Sequence, residues 1–420
     1  MKNLNLMKLD KNILPLNRSL TGKGTLATLK YFKKINNKII IKNVKSGKKI
    51  FDWKVPEEWN VNYAYFQDEK KRKYCNFEKN NLHLVGYSIK KKGLITFNQL
   101  SKKIYFSKDK PNSIPYVTSY YKKDWGFCMS LNDFKKLKKN QKYFVNINTE
   151  LKKGLMNYGE IIIKGKSKKQ ILIVSYICHP SMANNELSGP LVALKLSKIL
   201  KRSKYTVKII FIPETVGAIY YIKKNFNDLN KNLVAGINLS CVGDKNNFSY
   251  ISSIHENSYS DLIIKRVLQN QKYKKFNYEK RGSNERQFGC QNLNLPFITL
   301  CRSKFGNYKE YHTSDDNLKI ISNKKLNDSV ILVKNFVKEI QKNQIFTKNL
   351  FCEPFLSKYN LINNISKFEK IKDRDIKNIC AYVNRNIDVK ELGIKFKISN
   401  IKLKRIINKL LNKKIIKEFI

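Results

Sequence analysis

Histidine is scarce in this chain: four of 420 residues, against 84 lysines and arginines and 32 acids. Chemistry that needs an imidazole is confined to His83, His179, His255 and His312. Apolar runs are short, and none approaches the roughly 18 residues that a membrane helix needs. The amino terminus, MKNLNLMKLDKNILPLNRSL, has no apolar core of signal-peptide length. No membrane partner is expected, and the expected location is the cytoplasm. The eight cysteines form no CxxC pair and no tight framework, which argues against a disulfide scaffold and for a reducing compartment.

Acidic residues are few enough to leave a formal net charge of +52. A charge of that size suggests nucleic acid or an anionic surface. Here the basic residues are nearly all lysine, spread evenly, and accompanied by abundant Asn, Ile, Tyr and Phe. That mixture is what nucleotide bias in a coding sequence produces, and no compact arginine patch stands out. Solvated lysine faces are the preferred reading, and a nucleic-acid partner is not expected. Apolar residues at 42%, with 12% aromatics, supply a sizeable core, and the length suggests two to three domains at about 150 residues each.

The texture changes along the chain. Residues 24–35 read as an amphipathic helix, followed by the strand IIIKNV. From Phe51 to about Ser130, Tyr, Pro and short alternating runs read as small β structure set into something larger. From about 140, the runs YFVNI, GEIIIKG, QILIVSYI, VKIIFIP, LVAGINL and PFITLC alternate with helical patterns at 189–201, 217–226 and 322–342. This is an α/β pattern, and runs that are apolar throughout suit strands covered on both faces. After about 345, residues 373–384, 388–396 and 399–412 read as three short helices before KKIIKEFI. A DNA-binding helix-turn-helix is the sharp reading. Residues 346–420 carry 18 basic and 7 acidic residues, hardly more basic than the chain average, so a winged-helix packing or protein-contact module is preferred.

His179 follows the buried-type strand ILIVSYIC directly. In an open parallel sheet, ligands gather at the carboxyl ends of strands. VKIIFIP ends at Glu214, VAGINLS at Ser240, and EYHTSDD places His312 in a polar loop beyond PFITLC. Two imidazoles and a carboxylate then share one rim. Imidazoles with a carboxylate suit Zn²⁺, and a free carboxylate takes the proton of water. Each residue also has a plain structural role open to it, such as a glutamate charging a helix amino terminus.

The ordered set resembles the co-catalytic zinc aminopeptidases. More closely, it is similar to a bacterial aminopeptidase-like family with a small inserted β domain and a C-terminal winged helix. The segments that carry the resemblance run nearly end to end. They include LPLNRSLTGKGT, FDWKVPEEWN, NNLHLVGYS, SYICHPSMANNELSGP, PETVGAIYYI, CVGD, GSNERQF, RSKFGNYKEYHTSDDNL and CEPFLSKYNL. The resemblance implies an α/β/α zinc-exopeptidase-like mixed sheet. Residues 1–50 and 131–345 would form the aminopeptidase-like domain, 51–130 the inserted β domain and 346–420 a winged-helix domain. His179 and His312 match the metal-binding histidines, and Glu214 matches the general base.

The departures are in the acids. Asn185 stands where the two-metal enzymes have a bridging Asp, Thr215 where they have a second Glu, and Ser240 where an Asp is expected. Asn284 replaces an Asp of the closer relatives. An amide oxygen is a poor zinc ligand and bridges two metals badly. The expectation is one zinc ion held by His179 and His312 with help from Asn185, Glu186 or Asp244, and Glu214 as base. Arg302 and Arg286 are the candidates to hold a substrate carboxylate or the oxyanion. The leading function is a metal-dependent hydrolase of a peptide or related amide, weakened by its departures. The alternative is a non-catalytic binding or accessory protein linked to surface polysaccharide biosynthesis, and a DNA-binding regulator comes third. The sequence leaves self-association open.

Overall fold

Long apolar runs set the centre of the molecule. The computed structural model describes residues 11–202, 204–361 and 373–419. The outer limits expected at residues 1 and 420, and residues 362–372 of the tail, lie outside that range. Eight strands form one sheet: β1 (Ile40–Lys45), β2 (Leu155–Ile163), β3 (Ser167–Tyr176), β4 (Tyr205–Ile212), β5 (Leu233–Leu239), β6 (Phe248–Ile251), β7 (Tyr273–Phe276) and β8 (Phe297–Cys301). Their spatial order is β1-β2-β4-β3-β5-β8-β6-β7. The central four, β4-β3-β5-β8, are parallel, and antiparallel strands flank them on both sides. The mixed sheet expected from the sequence is present.

Alternation along β3 explains how the sheet is covered. Ile171 and Ile173 join a core with Phe32, Leu191, Val330 and Phe336. These come from helices α1 (Lys23–Ile35), α2 (Ser188–Ile199) and, later in the chain, α5 (Asn323–Lys342). Leu172 and Val174 point the other way, into a core with Ile210, Val216 and Tyr221. That second core includes α3 (Val216–Asn232), while α4 (Tyr259–Leu268) lies with the first. Burial on both faces is why β3 runs apolar without alternation from Ile171 to Val174.

The second core continues without a break into the inserted region, through Trp59, Phe66, Phe127 and Tyr143. There a four-stranded antiparallel sheet is ordered 73–74, 58–67, 142–152, 91–96. Strand Lys142–Lys152 was assigned from the sequence to the large sheet and belongs to the small one. The inserted β structure therefore extends past the limit of 130. The physical reason is period: every second residue of KYFVNINTELK is buried, the pattern of a strand with one wet face.

In the tail, helices α6 (Asp373–Tyr382), α7 (Val389–Phe396) and α8 (Asn400–Asn412) pack around Ile379, Leu392, Leu403 and Leu410. Strand Ile416–Glu418 pairs antiparallel with Phe346–Lys348. Among the described residues, no helix is long and apolar enough to cross a membrane.

Candidate active site

The carboxyl ends of β3, β4, β5 and β8 lead directly into the segments that carry the chemistry. His179 lies three residues beyond β3 and Glu214 two beyond β4, while Ser240 follows β5 and His312 sits in the long loop after β8. The two histidine rings face each other with centroids 5.4 Å apart. His179 Nε2 is 3.9 Å from Glu214 Oε2. His179, His312 and Glu214 are thus brought together as the sequence spacing predicts.

Backbone strain concentrates here. Ser181, Thr215, Cys241 and His312 all have positive φ, between 46° and 63°. At Thr215 the strain is a specific turn: φ is 63° and ψ is −77°, and Val216 N donates to Glu214 O at 2.7 Å. That three-residue γ-turn is rare and costly, and it aims Glu214 off the end of β4. The Glu214 side chain is one-fifth exposed. Ser283 Oγ donates to its Oε1, leaving Oε2 toward His179. Burial pushes the Glu214 carboxyl above its usual range, against the opposing pull of His179, Ser283 and Arg286.

Behind His179 stands a buried charge chain, of which the sequence offered Glu186 as a candidate metal ligand and gave no sign of Arg18. Its Nδ1 lies 3.0 Å from Glu186 Oε2, and Glu186 Oε1 lies 3.3 Å from Arg18 Nε. Both Arg18 and Glu186 side chains are fully buried. Arg18 also donates to the His179 carbonyl at 2.9 Å and to the carbonyls of Ile13 and Leu14. Burial alone would push the His179 imidazolium down. Cys178 and Glu186 outweigh it and hold the ring's pKa well above the usual value. The signal was the acid itself, moved one position along ANNEL from 185 to 186.

His312 is in the opposite state. Burial, with the charge of His179 added, pushes its pKa down to about 3, so the ring is neutral. It stacks on Tyr311 at 3.9 Å. Its Nε2 is buried and has no hydrogen-bond partner among the described residues. The inserted region holds this loop in place. Tyr116 N donates to His312 O at 2.8 Å and Pro115 bridges Thr313. The Tyr116 ring meets both imidazoles edge-on, at 5.4 and 5.1 Å.

Asp316, a second residue missed from sequence, accepts the backbone N–H groups of Ala183, Asn184 and Asn185 at 3.1, 2.6 and 2.9 Å. These are the orphan donors at the start of the helical turn that runs into α2. Tyr308 adds a fourth bond at 2.7 Å. The carboxylate thereby ties the His312 loop to the segment holding Glu186.

Three of the four positions that departed from the two-metal pattern, Asn185, Ser240 and Asn284, have neutral partners for their side chains, and Thr215 has Arg286. Tyr176 OH donates to the Asn185 carbonyl, shares a 2.7 Å bond with Ser240 Oγ, and lies 3.3 Å from Asn185 Oδ1. Asn185 Nδ2 turns to Met182 Sδ. The expected role of Asn185 as a metal ligand is therefore corrected: its amide serves the Tyr176 network. Asn284 Oδ1 accepts from Thr215 N at 3.1 Å, and Arg286 donates to Thr215 Oγ1. A guanidinium thus stands beside the position where the two-metal pattern has its second carboxylate. Asp244 is likewise used up, accepting from Asn184, Asn246 and Ser303.

Arg302 does not join the cluster. It lies over Phe248 at 4.0 Å and donates to the carbonyls of Asn246 and Lys325, with Asp328 at 3.7 Å. The sequence reading of Arg302 as a substrate ligand is corrected to a brace between β6, the loop after β5 and α5. His83 bonds the Cys128 carbonyl inside the inserted region, and His255 lies exposed in a turn.

Among the described residues, the one set of three donor atoms within 4.8 Å of one another is Cys178, His179 and Glu186. Its charge is already matched by Arg18, and His179 Nδ1 is committed to Glu186. That set reads as the support behind His179, in the way a carboxylate behind a metal-bound histidine fixes its tautomer. On the other side His179 Nε2 faces Glu214 Oε2, and the His312 ring, with its Nε2 unpartnered among the described residues, lies 5.4 Å from that of His179, but these three donors do not gather within 4.8 Å of one another.

An α/β sheet of this order, with imidazoles and a glutamate at its parallel strand ends, defines the aminopeptidase-like class. Its fold is that of the zinc aminopeptidase of Bacillus subtilis (TM-score 0.58, 13% identity, 81% of this chain and 96% of that one). A peptidase M28 precursor of Shewanella amazonensis is similar to a like degree (TM-score 0.55, 13% identity, 80% and 92%). Within that class the chain belongs to the family described as a domain of unknown function, DUF4910, which matches residues 7–343. A Clostridium acetobutylicum protein provisionally named for polysaccharide biosynthesis, with an aminopeptidase-like domain, is 36% identical over 362 residues. The match covers 85% of this chain and 82% of that protein. The crystal structure of a provisionally named peptidase from the same organism matches with a TM-score of 0.79 and 31% identity, over 98% of this chain and 96% of that one.

Proposed function

We propose that the chain is an amide hydrolase of aminopeptidase type reduced to one divalent metal ion, zinc being the metal its donors suit. The observation that carries this reading is His312 Nε2, a buried nitrogen of a neutral ring without a partner among the described residues, in a ring 5.4 Å from that of His179. A buried polar atom left unpaired is costly, and in the tautomer with its lone pair on Nε2 a metal ion would satisfy it. His179 and His312 would hold the ion, which supplies Lewis acidity to a substrate carbonyl and to water.

The chain's own residues do the rest. Glu214 receives the proton at Oε2, while Ser283 fixes the carboxyl through Oε1. Its raised pKa brings the base toward neutral pH. Glu186 and Arg18 keep the His179 Nδ1–H in place, and an ion would have to displace the proton that the raised pKa leaves on Nε2. Tyr116 and Tyr311 wall the imidazoles from water. Arg286, beside Thr215, remains the candidate for a substrate carboxylate or the oxyanion. The substrate is a small peptide or related amide. The eight cysteines, all unpaired, support a cytoplasmic setting.

Glu214→Gln should retain bound metal and lose at least about 100-fold in turnover of an aminoacyl anilide. Equal turnover excludes Glu214 as the base. The neutral Tyr176–Asn185–Ser240 network favours a second reading, a binding protein without catalysis, and the name of the Clostridium relative would set it in polysaccharide assembly. Metal-loaded wild-type protein inactive on a broad aminoacyl and acetamido panel would favour that reading.

A further inference from the structure

The hairpin of strands 49–50 and 53–54 has two unlike faces. One borders an apolar groove of about 390 Å³ that includes Phe51, Trp53, Ile222 and Phe226 and no basic side chain. The other borders a cavity of about 370 Å³ floored by Tyr87, Tyr120 and Tyr121. Its rim carries Lys54, Lys122, Lys123 and Lys153 against a single acid, Glu57. The excess of lysine across the chain does not by itself put four on one rim and none among the residues lining the groove behind it, where Lys223 Nζ lies 5.5 Å from the Phe51 ring.

The floor is held from several directions. Tyr87 is buried, stacks on Trp59 at 5.3 Å and 16°, and shares a 2.7 Å hydrogen bond with Thr21 Oγ1. Tyr120 meets Tyr87 edge-on at 5.7 Å, and Tyr121 OH donates to the Lys54 carbonyl at 2.8 Å. Tyr120 has a φ of 37°. A bulky residue keeps such a conformation only where surrounding structure imposes it. The consequence is a link to the site. Tyr120 OH lies 3.4 Å from Tyr116 OH, and the Tyr116 ring stands against both His179 and His312.

We propose that this cavity binds an anionic group carried on a compact ring, as the part of the substrate distal to the bond that is broken. Ammonium groups on the rim pair with a phosphate or carboxylate, and the tyrosine faces cover the ring. Only the link to turnover rests on the hydrolase reading, because binding here needs neither metal nor Glu214.

Isothermal titration of glucose 6-phosphate, glucose and inorganic phosphate into the full chain tests this. Glucose 6-phosphate should bind about tenfold tighter than either of the others. Combining Lys54→Gln with Lys123→Gln should weaken it about tenfold, while the remote surface pair Lys265→Gln and Lys274→Gln changes it less than twofold. Glu214→Gln should leave the binding unchanged even if it abolishes hydrolysis. Equal affinity for glucose and its phosphate overturns the proposal, as does an equal loss in the remote pair, which would show bulk charge only. No detectable binding of glucose 6-phosphate at about 10 mM overturns it too.

Discussion

Arg18 and Glu186 lie far apart in sequence, yet neither side chain touches water. A carboxylate buried in this way is tolerated only with a cation and hydrogen bonds beside it. Removing one partner is therefore worse than removing both. Arg18→Met should lower stability in urea by about 3–5 kcal/mol, and adding Glu186→Gln should recover part of that loss. Additive losses in the double variant would show that the two do not form a pair. Glu186 stood out in the sequence only as a candidate metal ligand and Arg18 not at all, since an arginine in a polar amino-terminal stretch reads as solvated. His179, His312 and Glu214 were legible because each sits just past an apolar run, and histidine is rare enough here for position to carry weight. Arg302 misled because it follows β8 directly, as a site residue would, while its side chain turns under Phe248.

At the scale of elements, the helical turn into α2 depends on Asp316 from another loop. Burial, opposed by Tyr308 and the three backbone N–H groups, raises the pKa of this carboxyl from 3.8 to about 6. The folded state then holds its proton more tightly than the unfolded chain. The resulting contribution to stability is full below about pH 4 and is lost as pH rises through about 6. Asp316→Asn should remove that descent, measured as urea stability at intervals across this window. An unchanged slope would assign the titration to another group. The strands of the parallel core could be read from their continuous apolar runs. Strand 142–152 was misassigned although its alternation marked a strand with one wet face, and β6 and β7 are too short and too polar to stand out.

Across the whole molecule, the tail is joined to the α/β body by charge. Asp388, fully buried, takes a two-pronged contact from Arg266 of α4 at 2.8 and 3.1 Å, and Tyr259 OH lies 3.2 Å away. Glu339 and Glu391 each lie 3.2 Å from the same guanidinium. Asp388→Ala should cost about 2 kcal/mol, because those two acids remain. Hydrogen exchange should quicken in α6–α8 and leave β3–β5 unchanged. Uniform quickening would mean that the tail and the body unfold as one unit. The tail is hardly more basic than the rest of the chain, and its described helices pack around a core of their own. The net charge of +52 is distributed as the sequence suggested, on exposed lysines, with the rim around Tyr120 as a local concentration.

The central claim is one divalent ion between the two histidines. Zinc content per chain, measured by mass spectrometry of metals after dialysis against trace zinc, tests it most directly when wild type is compared with His179→Ala and His312→Ala. About one ion in the wild type and none in either variant, with circular dichroism unchanged, is the predicted result. A wild type that holds no metal, or variants that keep it, would contradict the account.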